Sequence, residues 1–115
     1  MGGMVSIKRV YDPREESDGY RVLVDRLWPR GLTRDEAAID DWAKEIAPSG
    51  PLRKWFGHKP ERWAAFGKKY RAELQERAAA EALAALRKRA GRVTLLTATR
   101  DLDHSHAQVL RRLLA

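Results

Sequence analysis

One short stretch constrains the fold more than any other: an apolar run at residues 22–24, Val-Leu-Val, which passes directly into Asp-Arg-Leu-Trp-Pro-Arg-Gly at 25–31. Consecutive apolar residues without alternation are typical of a strand covered on both faces, as in parallel sheets with helices above and below. Open α/β sheets bind their ligands just beyond the carboxyl ends of such strands. The stretch therefore predicts a buried strand followed by a candidate binding loop.

Two other stretches also have strand character. Residues 93–98, Val-Thr-Leu-Leu-Thr-Ala, predict a second buried strand, and the alternation of apolar and polar residues at 5–10 predicts a first strand. The polar link at 14–19 is shorter than the dozen residues that a helical crossover normally takes. The first strand is therefore either antiparallel to the strand at 22–24 or joined to it by a simple turn.

The remaining segments predict helices. Thr33 and Glu36 form a capping-box pattern ahead of a short helix, with inward residues Ala38, Ile39, Trp42 and Ile46. A second short helix runs from about residue 52 to Gly57, and the stretch at 60–90 forms either one long helix or two helices with a break near 78–81. Asp103 is the expected cap of a last helix with Ala107, Leu110, Leu113 and Leu114 on its inner face.

These elements predict a single three-layer α/β domain over residues 1–115, in which helices cover a small, mainly parallel sheet of about three strands. Residues 1–4 are interpreted as an extension or tag remnant, or alternatively Met4 is the natural start after a shorter extension. The chain has no cysteine and no apolar run of membrane-spanning length, so we expect no disulfide, no membrane partner and a cytoplasmic location. The oligomeric state stays open.

The chain is basic. Lys and Arg number 23 against 16 Asp and Glu, a formal net charge of +7. Such an excess favours an acidic partner, either a small phosphorylated molecule or a nucleic acid. Neither buried strand is followed by the glycine-rich turn that lets a backbone approach a nucleotide cofactor closely, so no cofactor is expected.

The loop after the first buried strand carries candidate site residues. Arg26 and Arg30 have the planar fork that suits phosphate or carboxylate, Trp28 offers a flat ring, and Gly31 gives the backbone freedom to turn. Asp25 is a candidate general base. The structural alternative is that Asp25 pairs internally with an arginine and that Trp28 fills the core beneath the loop.

A second set of candidates follows the strand at 93–98. If the two buried strands are parallel neighbours, Arg100 and Asp101 lie beside the first loop, where Arg100 would bind an anion and Asp101 would be an alternative base. In the structural alternative, Asp101 or Asp103 caps a helix and Arg100 is solvated. His104 and His106 diverge on a helix and have no third ligand, so no metal site is expected.

Three blocks of sequence together resemble a known family: residues 18–31, residues 52–58 with Pro60, Trp63 and Phe66 beyond them, and residues 93–96 with the His-Ala pair at 106–107. This pattern resembles the YeaO-like branch of the domain of unknown function 488 family, over residues 7–114. The resemblance implies a small α/β fold and no established activity. Thr97, Arg100 and Ser105 stand where the family usually has Tyr, Lys and Asn, so the resemblance supports no role that depends on that tyrosine or asparagine.

The resemblance also singles out His106 as a candidate proton shuttle, against the alternative of a surface histidine at a helix start. Together these observations predict that the protein binds a small anionic ligand, a nucleotide or a phosphorylated metabolite, through Arg26, Arg30 and Arg100. Hydrolytic or acid–base chemistry would use Asp25 or Asp101 with His106. Whether the protein is an enzyme stays open. The alternative function is a nucleic-acid-binding or protein-interaction module that uses the basic surface.

Overall fold

The computed structural model describes residues 4–114. The predicted extension at 1–4 therefore lies, apart from Met4, outside the described residues. The helices and strands of the described part are β1 (Val5–Arg9), β2 (Tyr20–Leu23), α1 (Arg34–Ala37), β3 (Asp41–Trp42), α2 (Gly50–Phe56), α3 (Trp63–Glu73), α4 (Arg77–Arg87), β4 (Val93–Thr97) and α5 (His106–Leu114). Short 3₁₀ turns lie at Glu16–Asp18, Lys44–Ile46 and Pro60–Arg62. No helix within residues 4–114 is long and apolar enough to cross a membrane.

The four strands form one parallel sheet in the order β1-β4-β2-β3. The predicted α/β class is confirmed, with four strands instead of about three. The strand at residues 5–9 is parallel and pairs with β4, not with β2, which excludes the antiparallel alternative. The two buried strands are neighbours, and Val22 lies opposite Leu95.

The unpredicted strand is β3, whose Trp42 the sequence analysis had placed on the inner face of a helix. The helix α1 stops at Ala37, because Ala38 adopts a left-handed backbone with φ 49° and ends it. The chain then extends and pairs Asp41 and Trp42 with β2. The spacing of the apolar residues Ala38, Ile39, Trp42 and Ile46 is that of a helix. A strand of two residues is too short to show the alternation that would have indicated a strand.

Both faces of the sheet are covered. Val22 and Leu95 belong to the larger core cluster, together with apolar residues of α2, α3, α4 and α5. Leu23 and Leu96 belong to a smaller cluster on the other face, beneath Ala37 and Trp28. Adjacent residues of β2 and β4 thus enter two different cores, which explains why their sequences are apolar without alternation.

Several helix ends differ from the prediction. The stretch at 60–90 breaks at residues 74–76, between α3 and α4, instead of near 78–81. The last helix begins at His106, and the Ser105 hydroxyl accepts a hydrogen bond from the Ala107 N–H at 3.1 Å. Ser105, not Asp103, therefore caps this helix. The predicted end of α2 at Gly57 is confirmed, since Gly57 has a left-handed backbone with φ 53°.

The predicted capping box is also confirmed. The Thr33 hydroxyl accepts from the Glu36 N–H at 3.2 Å, and the Glu36 carboxylate accepts from the Thr33 N–H at 2.9 Å. Because loss of such a cap typically costs about 1 kcal/mol, we expect Thr33→Ala to lower the free energy of unfolding by that amount. Chemical denaturation measures the change, and Thr33→Ser, which keeps the hydroxyl, is the matched control. An unchanged midpoint for Thr33→Ala would show that α1 does not depend on its cap.

A buried ion pair joins the start of β2 to the end of α1. Arg21 is 1% exposed, and its guanidinium donates to Asp18 at 2.5 Å and to the carbonyls of Ala37 and Ala38 at 3.0 and 2.9 Å. Lys8 donates to the other oxygen of Asp18 at 3.0 Å. The carboxylate therefore balances a charge that the fold has removed from water.

Candidate functional site

A cleft of about 840 Å³ opens at the carboxyl edge of the sheet. Its walls are formed by three segments: the loop after β2, the chain between β4 and the first turn of α5, and the region around α2. The lining residues are Tyr11, Asp25, Arg26, Leu27, Trp28, Pro29, Arg30, Pro48, Gly50, Arg53, Lys54, Phe56, His58, Phe66, Ala98, Thr99, Arg100, Asp101, His104, Ser105 and His106. A volume of this size is typical of small-molecule sites.

Asp25 lies at the base of the cleft and is held by three donors. The Thr97 hydroxyl donates to one carboxylate oxygen at 2.7 Å, and the Ala98 N–H donates to the other at 2.8 Å. His106 Nε2 lies 3.1 Å from Asp25 and 3.0 Å from the Val24 carbonyl oxygen. Since a carbonyl only accepts, we assign the proton of His106 to Nε2. Asp25 thus ties β2 to β4 and to α5.

These bonds determine the charge state of Asp25. Burial raises the pKa of the carboxyl group, but the hydrogen bonds from His106, Ala98 and Thr97 outweigh burial and bring the pKa below its ordinary value. The side chain is 16% exposed. Asp25 is therefore a carboxylate whose oxygens are already occupied by protein donors, an arrangement suited to positioning the loop.

The loop after β2 presents arginines to the cleft. The Arg26 side chain is exposed and donates to the carbonyls of Ala47 and Pro48 at a long 3.4 Å. Arg30 is also exposed, while its backbone carbonyl accepts a hydrogen bond from the Tyr11 hydroxyl at 2.9 Å. The backbone is thus anchored, and the guanidinium groups keep most of their donors for a ligand.

Trp28 packs in the smaller core cluster and also lines the cleft. Its indole N–H donates to the Leu32 carbonyl at 2.7 Å, and its ring lies edge-on to Trp42 at 5.4 Å within the smaller core cluster. Part of the ring also lines the cleft. Gly31 does not line the cleft. It follows Arg30 with φ 79°, a conformation that favours glycine and turns the chain toward α1.

The segment after β4 lies against this loop, as expected for parallel neighbours. Arg100 is exposed and lines the cleft. Asp101 accepts from the His104 N–H at 3.2 Å and from its ring at 2.9 Å. The hydrogen bond from the His104 side chain is the main cause that lowers the pKa of Asp101. Asp101 therefore stabilises the turn ahead of α5.

The wall formed by α2 was not predicted. Arg53 and Lys54 are exposed on this helix and line the cleft, and Phe56 and Phe66 supply apolar surface. His58 also lines it, with an unusual left-handed backbone at φ 56°. The available signal was the resemblance block at 52–58, which contains these two cations. Within residues 4–114, no group of three His, Asp or Glu side chains is placed to hold a metal ion.

The fold and the site define a parallel α/β protein with a cationic cleft at the carboxyl edge of its sheet. Residues 4–115 match a family model described as the inactive DUF488-N3 subclade, and the chain belongs to this branch of the domain of unknown function 488 family. The predicted family resemblance is thus confirmed.

Two relatives are similar over nearly their whole length. The uncharacterized protein Rv3073c of Mycobacterium tuberculosis is 48% identical over 112 residues, which cover 96% of this chain and 92% of the relative. The uncharacterized protein YeaO of Escherichia coli is 47% identical over 107 residues, 92% of each chain. No solved structure gives a significant match.

Proposed function

We propose that this protein binds a small anionic molecule, a nucleotide or a phosphorylated metabolite, in the cleft at the carboxyl edge of the sheet. The observation that carries the proposal is the charge of the cleft lining. Five Lys and Arg side chains line it, from three separate segments, against two carboxylates. Both carboxylates are engaged by donors of the protein, Asp25 by Thr97 and Ala98 and Asp101 by His104.

The cations of the cleft lining come from three segments. Arg26 and Arg30 come from the loop after β2, Arg100 from the segment after β4, and Arg53 and Lys54 from α2. Guanidinium groups bind phosphate or carboxylate through two parallel hydrogen bonds, and such charge-assisted bonds are about twice as strong as neutral ones. An anion in the cleft would accept hydrogen bonds from these exposed donors.

Binding without catalysis fits the site better than acid–base chemistry. Asp25, the predicted base, has its oxygens occupied by Thr97, Ala98 and His106, and His106 directs its Nε2 proton into the same network. A base needs an oxygen within reach of a substrate proton. The description of the matched subclade as inactive agrees with this interpretation.

A thermal-shift screen of inorganic phosphate, pyrophosphate, nucleotides and phosphorylated sugars tests the proposal. A ligand at about 100 times its dissociation constant stabilises the folded state by about 2.7 kcal/mol, which in a domain of this size raises Tm by roughly 10 °C or more. Uncharged nucleosides and sugars of the same skeleton are the matched controls. A screen in which no anion raises Tm more than its uncharged counterpart would contradict the proposal.

The loop arginines give the corresponding mutational prediction. We expect Arg26→Ala and Arg30→Ala each to weaken binding of the best anion of the screen by about 10-fold to 100-fold, because a hydrogen bond to a charged group contributes about 1.5–3 kcal/mol. Arg26→Lys should not restore the affinity, since the planar fork is lost. Isothermal titration calorimetry measures the dissociation constants.

The control is the double variant Lys88→Gln/Arg89→Gln, whose residues lie outside the cleft lining. It should bind the anion as the wild-type protein does. If binding survives both loop variants but falls in this control, the anion binds elsewhere and the cleft is not its site.

A further inference from the structure

A second concentration of positive charge lies at the opposite edge of the sheet. The helix α4 ends there, β4 begins there, and α5 returns there from the cleft. Arg87 of α4 donates to the Leu113 carbonyl at 3.1 Å. Val5, Leu86, Val93 and Leu114 border one shallow depression, which places the ends of these elements side by side. The amino-edge basic face is defined by Arg87, Lys88, Arg89, Arg92, Arg111 and Arg112, all exposed.

The cations of this face are not held in direct ion pairs within residues 4–114. None of its six cations forms an ion pair with an Asp or Glu of residues 4–114, whereas Lys8, Arg21 and Arg77 each do. Arg111 bonds the neutral Gln108 side chain at 3.2 Å. Arg89 lies 3.4 Å above the ring of Tyr20, whose other charged neighbours are Asp40 and Asp41. Those two acids mark one border of the face.

We propose that the amino-edge basic face binds the phosphate backbone of a nucleic acid. Five of its six cations are arginines, whose planar fork matches phosphate oxygens. Six cations contributed by α4, α5 and the chain before β4 offer several phosphate contacts at once, as backbone binding requires. Among the described large apolar residues, Met4 is the exposed one that adjoins this edge, next to β1. A membrane surface would instead need a row of apolar side chains to bury.

This face is separate from the proposed anion site. The strands between the two edges have four or five residues, a distance of about 13–17 Å at the usual rise per residue. A phosphate backbone at the amino edge therefore leaves the cleft accessible, and the two proposals can fail independently.

Fluorescence anisotropy with labelled single-stranded RNA and with duplex DNA, each about 20 nucleotides long per strand, tests the proposal over a salt series. The variant is Lys88→Gln/Arg92→Gln/Arg112→Gln, which removes three charges of the face. We expect its affinity at about 0.1 M salt to fall at least 10-fold. The slope of log K against log salt concentration should become less negative by about 2–3, since each phosphate contact contributes about 0.7–0.9 to its magnitude.

The matched control is Lys68→Gln/Lys69→Gln/Arg71→Gln, which removes the same charge from exposed positions of α3. It should keep the wild-type slope. Equal losses of nucleic-acid affinity in the two triple variants would overturn the proposal, because the net charge of the protein would then explain the binding without this face. No binding to either nucleic acid would overturn it too, and so would binding only to phosphatidylserine-containing vesicles. Titrating both variants with the anion that binds the cleft, in which both should match the wild type, separates this result from the proposed function.

Discussion

Asp18→Ala should lower the free energy of unfolding by about 3–5 kcal/mol, the cost typical of removing one partner of a buried ion pair. Asp18 is 4% exposed and faces Arg21, which is 1% exposed. Without the carboxylate, the guanidinium keeps only the carbonyls of Ala37 and Ala38. For a domain whose total stability is about 5–15 kcal/mol, this is a large fraction. Urea denaturation measures it.

Two companion variants keep this prediction testable if Asp18→Ala does not fold. Glu16→Ala changes an exposed acid in the same turn and should leave the denaturation midpoint unchanged. The double variant Asp18→Leu/Arg21→Met removes both charges and should recover much of the lost stability, because a buried ion pair can be replaced by apolar residues at little cost. If Asp18→Ala is as stable as Glu16→Ala, the ion pair between Asp18 and Arg21 contributes nothing to stability and the prediction is wrong.

The same pair makes stability depend on pH in a defined direction. Burial raises the pKa of Asp18, but the hydrogen bonds from the Glu15 N–H, Lys8 and Arg21 outweigh it and bring the pKa below its ordinary value. A carboxyl group with a lowered folded-state pKa stabilises the fold above its unfolded pKa of about 3.9, and loses that contribution as the pH falls through the folded pKa. The urea midpoint of the wild-type protein should therefore decrease as the pH is lowered below about 4. Asp18→Asn should reduce that decrease.

Asp25→Ala should lower the free energy of unfolding by about 3 kcal/mol. The substitution leaves the Thr97 hydroxyl, the Ala98 N–H and His106 without their shared acceptor, and unpaired buried groups cost about 1–3 kcal/mol each without adding fully. The sign of the change in the free energy of unfolding distinguishes a positioning role of Asp25 from a catalytic role. A carboxylate kept for catalysis is often held at a cost to stability, so its removal is neutral or stabilising.

The controls for Asp25 come from the same cleft. Asp101→Ala removes an exposed carboxylate whose hydrogen bonds to His104 stay within one turn, so it should lower the denaturation midpoint much less than Asp25→Ala does. Asp25→Asn keeps the shape but turns an amide N–H₂ toward a donor, so it should also destabilise the fold. An increase in stability with either Asp25 variant would contradict the positioning role and favour a catalytic one.

The sequence alone predicted the central part of the fold. The apolar runs of β2 and β4 predict strands that are buried on both faces, and a local pattern of four residues predicts the Thr33 cap. The strand β3 was not predicted because its two residues are too few to show the alternation typical of a strand. The burial of Arg21 was not predicted, because its acceptors are Asp18 and the carbonyls of Ala37 and Ala38, and the two carbonyls are brought to it by tertiary packing.

The lining of the cleft was predicted in part. The loop arginines and Arg100 follow from the rule that ligands bind at the carboxyl ends of parallel strands, and these residues do line one cleft. The network of Asp25 could not be predicted, since Thr97, Ala98 and His106 are more than 70 residues away in sequence. The α2 wall with Arg53 and Lys54 was missed for the same reason: tertiary packing, not local pattern, brings it to the cleft.

We propose that an anion binds between the loop after β2 and the segment after β4. The most direct measurement is an NMR titration of the ¹⁵N-labelled protein with pyrophosphate and, separately, with AMP. Binding in the cleft should cause saturable shifts of the backbone amides at residues 25–28, 30–31 and 98–106, with the amides at 87–92 unmoved. Shifts confined to residues 87–92, or no saturable shift with either anion, would contradict it.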